Sequence, residues 1–225
     1  AGDHRLDIEI GAQVTNISVH SAGMLLGLKS IPIGSNDITD ALASSFGIRR
    51  SQAERLKCVS GSAMASPTDH SEMIPVNAPG EEGEGPLARG ADEHNRISRA
   101  ELVAVVTDRL AHLTGEMHRA LKDMGFTGSR GGQVVLAGGG AELHGIAEFV
   151  QAALGRPVRI GKPPRLQGLP EAHATPGFAS LVGLCLYAAD DPVDIRSVDP
   201  GYQPTRRYSG FGLVNRVFQA VREYF

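Results

Sequence analysis

The sequence predicts an α/β fold on the basis of three stretches. In 134–145, a charge-free run of Val and Leu is followed by three glycines and then by apolar residues at helical spacing. In 5–20, apolar residues alternate on both sides of a Gly-Ala pair, which indicates a β-hairpin. In 98–124, apolar residues recur three and four apart, which indicates one long helix with a buried face.

The glycine turn at 138–140 is the first candidate site. A strand, a glycine turn and a helix can bring backbone close to a phosphate or a nucleoside, because glycine has no side chain and a helix N-terminus favours negative charge. Such turns also occur without a ligand in parallel sheets. The glycines alone therefore leave both interpretations open.

Length, charge and cysteine content restrict what kind of protein the chain can be. Its 225 residues allow one large domain or two modest ones, and the net charge of -3 gives no indication of nucleic-acid binding. Cys58 and Cys185 have no metal-ligand spacing and follow apolar patterns, which predicts reduced structural thiols in a cytoplasmic protein. Neither a signal peptide nor a membrane span is predicted, and the start at Ala1 just before a strand suggests a piece of a longer protein.

Between the hairpin and the long helix, the pattern predicts a strand at 24–33 and a helix capped by Ser35 or Asn36. A capping box at 51–54 predicts the start of a second, short helix. The Pro-, Gly- and Glu-rich stretch 66–96 predicts an edge strand or two around 73–76 and a solvated acidic loop at 81–84.

After the glycine turn, the pattern predicts a helix with apolar positions from Ile146 to Leu154 and a short strand at 157–160. Thr175 and Pro176 predict a helix start, and the helix through 189 has apolar residues on all sides, so we expect it to be fully buried. From 190 to 209, charge, Pro and Gly predict a disordered linker.

The last residues, 210–225, form an amphipathic pattern with bulky apolar residues on one face and arginines beside it. At the end of a linker, this pattern is typical of a helix in a membrane interface; a terminal helix docked on the domain is the alternative. One copy would bind lipid marginally and reversibly. Stable attachment to a membrane would therefore require several copies side by side. The predicted membrane contacts are Phe211, Val214, Val217, Phe218, Val221, Arg222 and Phe225.

The ordered set of motifs resembles the C-terminal half of the FtsA family, bacterial actin homologues that tether the division ring to the membrane. The segments that carry the resemblance are DIEIGAQVTNISVH, IPIGSNDITDALASSFG, SQAERLK, VVLAGGGAELHG, PGFASLVGL and the terminal amphipathic stretch. Actin, Hsp70 and sugar-kinase relatives share the glycine turns. The pilus-assembly relative PilM shares the core but is not expected to end in such a helix.

The resemblance implies actin/Hsp70-like ATPase-fold subdomains with a C-terminal amphipathic helix. Residues 1–34 and 128–189 would form the nucleotide-side subdomain. Residues 35–127 would form an inserted subdomain that receives the C-terminal tail of the tubulin homologue FtsZ. Residues 190–209 would be the linker, and 210–225 the membrane-targeting helix.

The resemblance also implies site residues. Arg99 and Arg109 would pair with an acidic residue of the FtsZ tail, or else remain two solvated charges. No catalytic residue and no metal ligand is assigned. The expected nucleotide-binding residues are Gly11, Ala12, Thr15, Gly138, Gly139, Gly140 and Ala141.

ATP and Mg²⁺ are the cofactors of the full-length family, and we expect their binding to be weak or absent in this chain. Glu9 stands where the family has Asp (Asp7 is the other candidate), and Gln13 stands where it has a second Gly. A side chain at the latter position obstructs backbone approach to a phosphate. The first phosphate loop and the other half of the cleft are also missing, so hydrolysis by this chain is doubtful.

The function implied is a cell-division adaptor that links the FtsZ ring to the cytoplasmic face of the inner membrane at the septum. Its expected partners are the FtsZ tail, other divisome proteins, anionic lipid and further copies of itself, without nucleic acid. The alternatives are half of another actin-fold ATP-using enzyme, such as a kinase or polyphosphatase, or a PilM-like pilus-assembly scaffold. The sequence places no general base beside a nucleophile, which favours the adaptor.

Overall fold

The structure is a computed structural model that describes residues 4–76, 96–126 and 132–190. The chain divides into two units, Ala1–Leu186 and Tyr187–Phe225, and the elements below lie in the first unit except for the last residues of the final helix. The predicted acidic loop, all but the first residue of the predicted linker and the predicted terminal helix lie outside the described residues.

A five-stranded mixed sheet forms the centre of the first unit. Its strands are β1 (His4–Ile10), β2 (Thr15–Ser21), β3 (Met24–Ile31), β6 (Gln133–Ala137) and β7 (Val158–Ile160), in the order β3-β2-β1-β6-β7. The first three strands pair antiparallel, whereas β6 lies parallel to both β1 and β7. The predicted hairpin, third strand and glycine-bounded strand are confirmed, although β3 ends at Ile31 rather than at residue 33.

The helix α3 (Arg99–Asp123) packs its apolar stripe into the core that the sheet forms. Ser98 begins it with a capping box: the Glu101 amide donates to the Ser98 hydroxyl at 3.2 Å, and the Ser98 amide donates to the Glu101 carboxylate at 2.9 Å. The predicted long helix is confirmed, as is the helix after the glycine turn, α4 (Ile146–Leu154). The buried residues of the α3 stripe are Leu102, Val106, Leu110, Leu113, Met117 and Leu121.

The chain between β3 and α3 contains α1 (Ser35–Phe46), α2 (Arg50–Ser60) and a two-stranded sheet of β4 (Met73–Pro75) and β5 (Arg96–Ser98). Both predicted N-cap residues are wrong, because each helix begins one or two residues earlier than predicted. Gly34 caps α1, and its amide donates to Asp37 at 2.7 Å; a side chain there would place a Cβ 2.5 Å from the Ala12 carbonyl oxygen. Arg49 caps α2, because its amide already reaches Gln52 at 3.2 Å.

The helix α5 (Ala179–Ala189) contradicts the prediction of full burial. Val182 is its one buried residue, whereas Leu181 and Leu184 are 57% and 66% exposed. The apolar composition of a helix indicates how much free energy its burial would contribute. It does not indicate whether another layer of the structure covers the helix. Cys58 and Cys185 are free thiols, as predicted, but both are exposed, so neither has the structural role in packing that was expected.

None of the helices in the described part of the chain combines the length and the apolar character needed to cross a bilayer.

Candidate functional site

The three glycines after β6 have different structural roles. Gly138 has φ +84°, and a Cβ there would lie 2.4 Å from the carbonyl oxygen of Ile10. A Cβ at Gly140 would lie 2.3 Å from the Cγ2 atom of the same isoleucine. Both glycines are therefore required for the short 3₁₀ turn Gly139–Glu142 to pass over the end of β1.

Gly139 differs from its two neighbours. A Cβ built at Gly139 meets no heavy atom within 4 Å, and the residue is exposed. Packing within the described residues does not require glycine at this position. The missing side chain instead leaves space beside the cavity that the turn overhangs.

A cavity of about 350 Å³ lies between the glycine turn and the helices α1, α2 and α3. This volume is within the range of small-molecule sites. Its apolar wall is formed by side chains of β1, α1, α3 and the turn itself, and its polar groups come mainly from α2 and the turn. The principal lining residues are Ile10, Ile38, Leu110, Leu113, Leu143, Ser35, Glu54, Lys57, Glu142 and His144.

Lys57 and Glu54 hold one wall of this cavity, and sequence reasoning missed both. The Lys57 ammonium, 9% exposed, lies 2.8 Å from the Glu54 carboxylate. It also donates to the Thr39 hydroxyl at 2.9 Å and to the Ser35 carbonyl at 3.1 Å. All three ammonium protons are thus used within the chain, and Lys57 joins α2 to the start of α1.

The ionisation of Glu54 reflects this network. Partial burial by itself would raise the pKa of Glu54, but hydrogen bonds from Lys57 and Thr39 outweigh it and hold the pKa below its ordinary value of 4.5. Burial raises the pKa of the neighbouring Cys58 thiol, and the adjacent Glu54 carboxylate raises it further. The thiol therefore stays protonated near neutral pH.

The charge of the cavity limits what it can accept. Among the described residues that line it, Lys57 is the one lysine or arginine, and its donors are already occupied. Glu54 and Glu142 supply carboxylate oxygens at the rim. An uncharged group that carries hydrogen-bond donors, such as the base and ribose of a nucleoside, suits this lining better than a phosphate does.

The β1–β2 turn, where Gly11 and Ala12 were expected to bind nucleotide, is tied to α1. The Ser35 amide donates to the Gly11 carbonyl at 2.9 Å, and the Asn36 amide donates to the Ala12 carbonyl at 2.8 Å. Thr15 is fully buried, and its hydroxyl donates to the Ile33 carbonyl at 2.8 Å. These three residues hold the first turn of α1 against the sheet, whereas Gly139 and Gly140 line the cavity.

Glu9 lies away from this cavity. Its carboxylate accepts hydrogen bonds from Asn16 at 3.3 Å and from the Ser180 hydroxyl, and it lines a second, more open cavity of about 650 Å³ on the sheet. Gln13 is exposed in the β1–β2 turn. Among the described residues, no cluster of three His, Cys, Asp or Glu side chains could hold a metal ion.

The two arginines expected to bind a partner lie apart on α3. Ten residues separate them, which corresponds to about 15 Å along a helix. Arg99 is paired within the chain, 3.3 Å from Asp69 and 3.2 Å from Glu72. Arg109 is 46% exposed and lies 2.9 Å from its neighbour Asp108. The predicted membrane contacts at 211–225 lie outside the described residues.

Several solved structures share this fold. MreB 5 of Spiroplasma citri bound to AMPPNP is 16% identical with a TM-score of 0.61, and the match covers 84% of this chain and 54% of MreB 5. A PilM–PilN type IV pilus biogenesis complex is 19% identical with a TM-score of 0.58, covering 82% of this chain and 46% of the other. These identities establish the fold alone, which confirms the predicted actin-like class.

Sequence comparisons are more specific. Cell division protein FtsA of Agrobacterium fabrum is 32% identical over 219 residues, and FtsA of Rhizobium meliloti is 33% identical over 218. Each match covers 97% of this chain and 47% of the relative, so the chain spans about half the length of these proteins. FtsA of Escherichia coli strain K12 is 29% identical over 187 residues. Residues 7–183 match the family model of cell division protein FtsA, and the chain therefore belongs to the FtsA family.

Proposed function

We propose that this chain acts in cell division as an FtsA-type adaptor between the FtsZ ring and the cytoplasmic face of the inner membrane. The observation that carries the proposal is the match of residues 7–183 to FtsA. The cavity beside Gly139 adds a nucleotide site to it, and MreB 5, which has the same fold, was solved with AMPPNP.

In this proposal the cavity holds the nucleoside part of ATP, with the base and ribose against the glycine turn. Gly139, Gly140 and Leu143 supply the turn side, and Glu54 offers a carboxylate acceptor for hydroxyl groups. The Gly11 amide donates to the Val14 carbonyl at 2.9 Å, and the Thr15 hydroxyl donates to the Ile33 carbonyl at 2.8 Å. These two donors are therefore engaged within the chain, which agrees with weak binding of the phosphates. We assign no residue to Mg²⁺ and propose no hydrolysis, since Glu9 does not line this cavity.

Residues 35–127 are proposed as the inserted subdomain that receives the FtsZ tail. A charge-assisted pair between an arginine and an acidic tail residue would supply direction and specificity. Arg109 is the better candidate of the two, because Arg99 already pairs with Asp69 and Glu72. Residues 1–34 and 128–189 are proposed as the nucleotide-side subdomain.

The membrane contact is proposed for the amphipathic residues 210–225, tethered by 190–209. Apolar side chains would enter the lipid interface while the arginines meet anionic headgroups. Self-association would place several such segments side by side, which multiplies a weak attachment. Location at the septum would follow from binding FtsZ and other divisome proteins.

A titration of a labelled FtsZ tail peptide tests the partner. We expect Arg109→Glu to weaken binding by about tenfold or more, because a carboxylate would replace the proposed cation. Arg119→Glu, an exposed arginine on the same helix, is the matched control and should bind as the parent does. Equal binding by the parent and Arg109→Glu would contradict the proposed contact.

Co-sedimentation with vesicles tests the membrane contact. The full chain should pellet with anionic vesicles, less with zwitterionic ones, and not after removal of 210–225. Equal pelleting of both forms would overturn the membrane part of the proposal while leaving the FtsZ contact standing.

A PilM-like scaffold is the second candidate, and the structural similarity to PilM in the pilus complex favours it. That function predicts neither FtsZ-tail binding nor loss of vesicle binding on truncation. The same two experiments therefore separate the candidates.

A further inference from the structure

The free edge of the central sheet carries an unusual apolar segment. β3 ends the sheet on one side, so its backbone groups that face away from β2 have no strand partner among the described residues. Along β3, Met24, Leu25, Leu26 and Leu28 are 64%, 56%, 50% and 64% exposed. Proteins normally protect such edges with charges, prolines or a covering element.

The one charge of β3 does not protect this edge. Lys29 forms an ion pair with Asp123 at the end of α3, which neutralises it. The face of Gly27 towards α3 is also closed, because a Cβ there would lie 3.1 Å from the Met124 sulfur. The apolar segment is therefore open along its edge and on the face away from α3, and residues 24–28 contain no charge at all.

We propose that β3 pairs antiparallel with β3 of a second copy of this chain, so that the two sheets join across a two-fold axis at Leu26. In this register Leu26 faces its own copy, Met24 faces Leu28, and Leu25 faces Gly27. Each large side chain then meets another large side chain or a glycine. Lys29 faces Gly23, so no like charges oppose each other.

The bulge between β2 and β3 agrees with this register. Opposite Val19 and His20, the pairing passes from Gly27 to Leu25 and leaves Leu26 outside the ladder. The backbone of Leu26 thus lacks a ladder partner on β2 at the point where the two-fold axis would pass.

The area indicates a weak dimer. Four half-exposed aliphatic side chains remove on the order of a few hundred Å² per copy from water, below the roughly 800 Å² that each partner buries in a standard stable interface. The edge would therefore pair only at high local concentration, such as on a surface that already holds many copies. This interface deepens the self-association in the proposed function and does not depend on nucleotide, FtsZ or lipid.

Disulfide trapping tests the register with the full chain in a Cys58→Ser, Cys185→Ser background. Residues directly opposite on antiparallel strands have Cα atoms about 4.5–5.5 Å apart, which a disulfide spans. Leu26→Cys should give a covalent dimer on mild oxidation. Ser30→Cys, four residues from the axis, and Val59→Cys, 77% exposed on α2, should not.

Sedimentation equilibrium supplies the second readout. The parent should show a concentration-dependent dimer, and Leu26→Lys should raise its dissociation constant by about tenfold or more by placing two ammonium groups on the axis. Val59→Lys should leave the constant unchanged. A parent that stays monomeric at all concentrations, or trapping at Val59→Cys equal to that at Leu26→Cys, would overturn the interface.

A lipid surface is the alternative partner for the apolar edge of β3, and the experiments distinguish it from a second copy of the chain. If Leu26→Lys reduces vesicle binding while the parent remains monomeric, the apolar edge contacts membrane and the β3–β3 interface is wrong. Dimerisation through β3 changes neither FtsZ-tail binding nor the truncation result, so the β3–β3 interface and the proposed function can fail independently. Lipid contact by the edge would instead leave some vesicle binding after removal of 210–225. Should Leu26→Lys fail to fold, the trapping comparison decides alone.

Discussion

The centre and the edge of the sheet use the same residue types with opposite results. In β1 and β6, Leu6, Ile8 and Leu136 are fully buried, whereas in β3 Leu26 and Leu28 remain at least half exposed. The difference lies in the neighbours: central strands have a strand on each side and helices against one face, whereas β3 has one strand partner. Apolar patterning predicts strands, but topology decides which of them are buried.

The helices repeat this contrast. In α3, polar and apolar residues alternate at helical spacing, and the apolar stripe is buried. In α5, apolar residues surround the helix, and one of them is buried. A stripe specifies the side on which a helix packs, whereas a uniformly apolar helix specifies no side and depends entirely on what surrounds it.

The largest expected effect comes from truncating a central side chain. Leu136→Ala should lower the free energy of unfolding by about 2–5 kcal/mol, because it leaves a cavity between β1, β7 and the helices. Leu26→Ala should cost less than about 1 kcal/mol at low protein concentration. Urea denaturation of both variants measures the difference, and equal losses would mean that the edge is as well packed as the centre.

The glycine turn provides the next contrast. Gly138→Ala should lower the free energy of unfolding by about 1–3 kcal/mol. Alanine disfavours φ +84°, and its Cβ would collide with Ile10. Gly139→Ala should change stability by less than about 0.5 kcal/mol. Thermal melting of the pair checks this; a large loss for Gly139→Ala would show that the fold does require that glycine.

Removing the buried ammonium should have a similar or somewhat smaller effect. Lys57→Met takes one donor from the Glu54 carboxylate and one from the Ser35 carbonyl, and we expect a loss of about 1–3 kcal/mol. Arg50→Met, which removes an exposed ion pair with Asp40, is the control and should cost less than about 1 kcal/mol. Similar losses for both would contradict the role of Lys57 in joining α2 to the start of α1.

The same network predicts a pH dependence. The pKa of Glu54 is held below 4.5 in the folded chain, so its contribution to stability is present above that pH and is lost as the pH falls through the folded pKa. Unfolding measured from pH 6 to pH 3 should therefore show a smaller decline for Glu54→Gln than for the parent. A decline of the same size in both would assign the acid sensitivity to other carboxylates.

The smallest expected effect is an increase in the free energy of unfolding. Gly115 lies inside α3, and a Cβ there meets no atom within 4 Å. Gly115→Ala should raise the free energy of unfolding by about 0.5–1 kcal/mol through helix propensity. Gly125→Ala, just after the helix at φ +84°, should lower it instead. A neutral or destabilising result at Gly115 would indicate a contact beyond the described residues.

Local pattern predicted much of this fold. The hairpin, the long helix and the strand before the glycines all depend on residues close in sequence, and each is confirmed. The cap positions shifted because tertiary contacts intervened: Gly34 packs against the β1–β2 turn, and that contact sets where α1 begins. Residue types near a boundary do not encode such a contact.

The candidate site was only half predictable. The glycine turn is visible as a motif, and it does line the cavity. Lys57 and Glu54 stand three apart in what reads as a solvated helix face, and their importance arises from Thr39 and Ser35, 18 and 22 residues before Lys57. Burial of a lysine against another helix depends on packing, and spacing along one helix does not reveal it.

The central claim is that the cavity beside Gly139 holds a nucleoside, and ATP binding by the full chain tests it most directly. The parent should bind ATP weakly, as followed by NMR or calorimetry, and adenosine should compete for the same site. Gly139→Val should weaken binding by about tenfold or more with an unchanged melting temperature, because its side chain would fill the free space at the cavity. Equal ATP binding by the parent and Gly139→Val, or no binding by the parent, would contradict the claim.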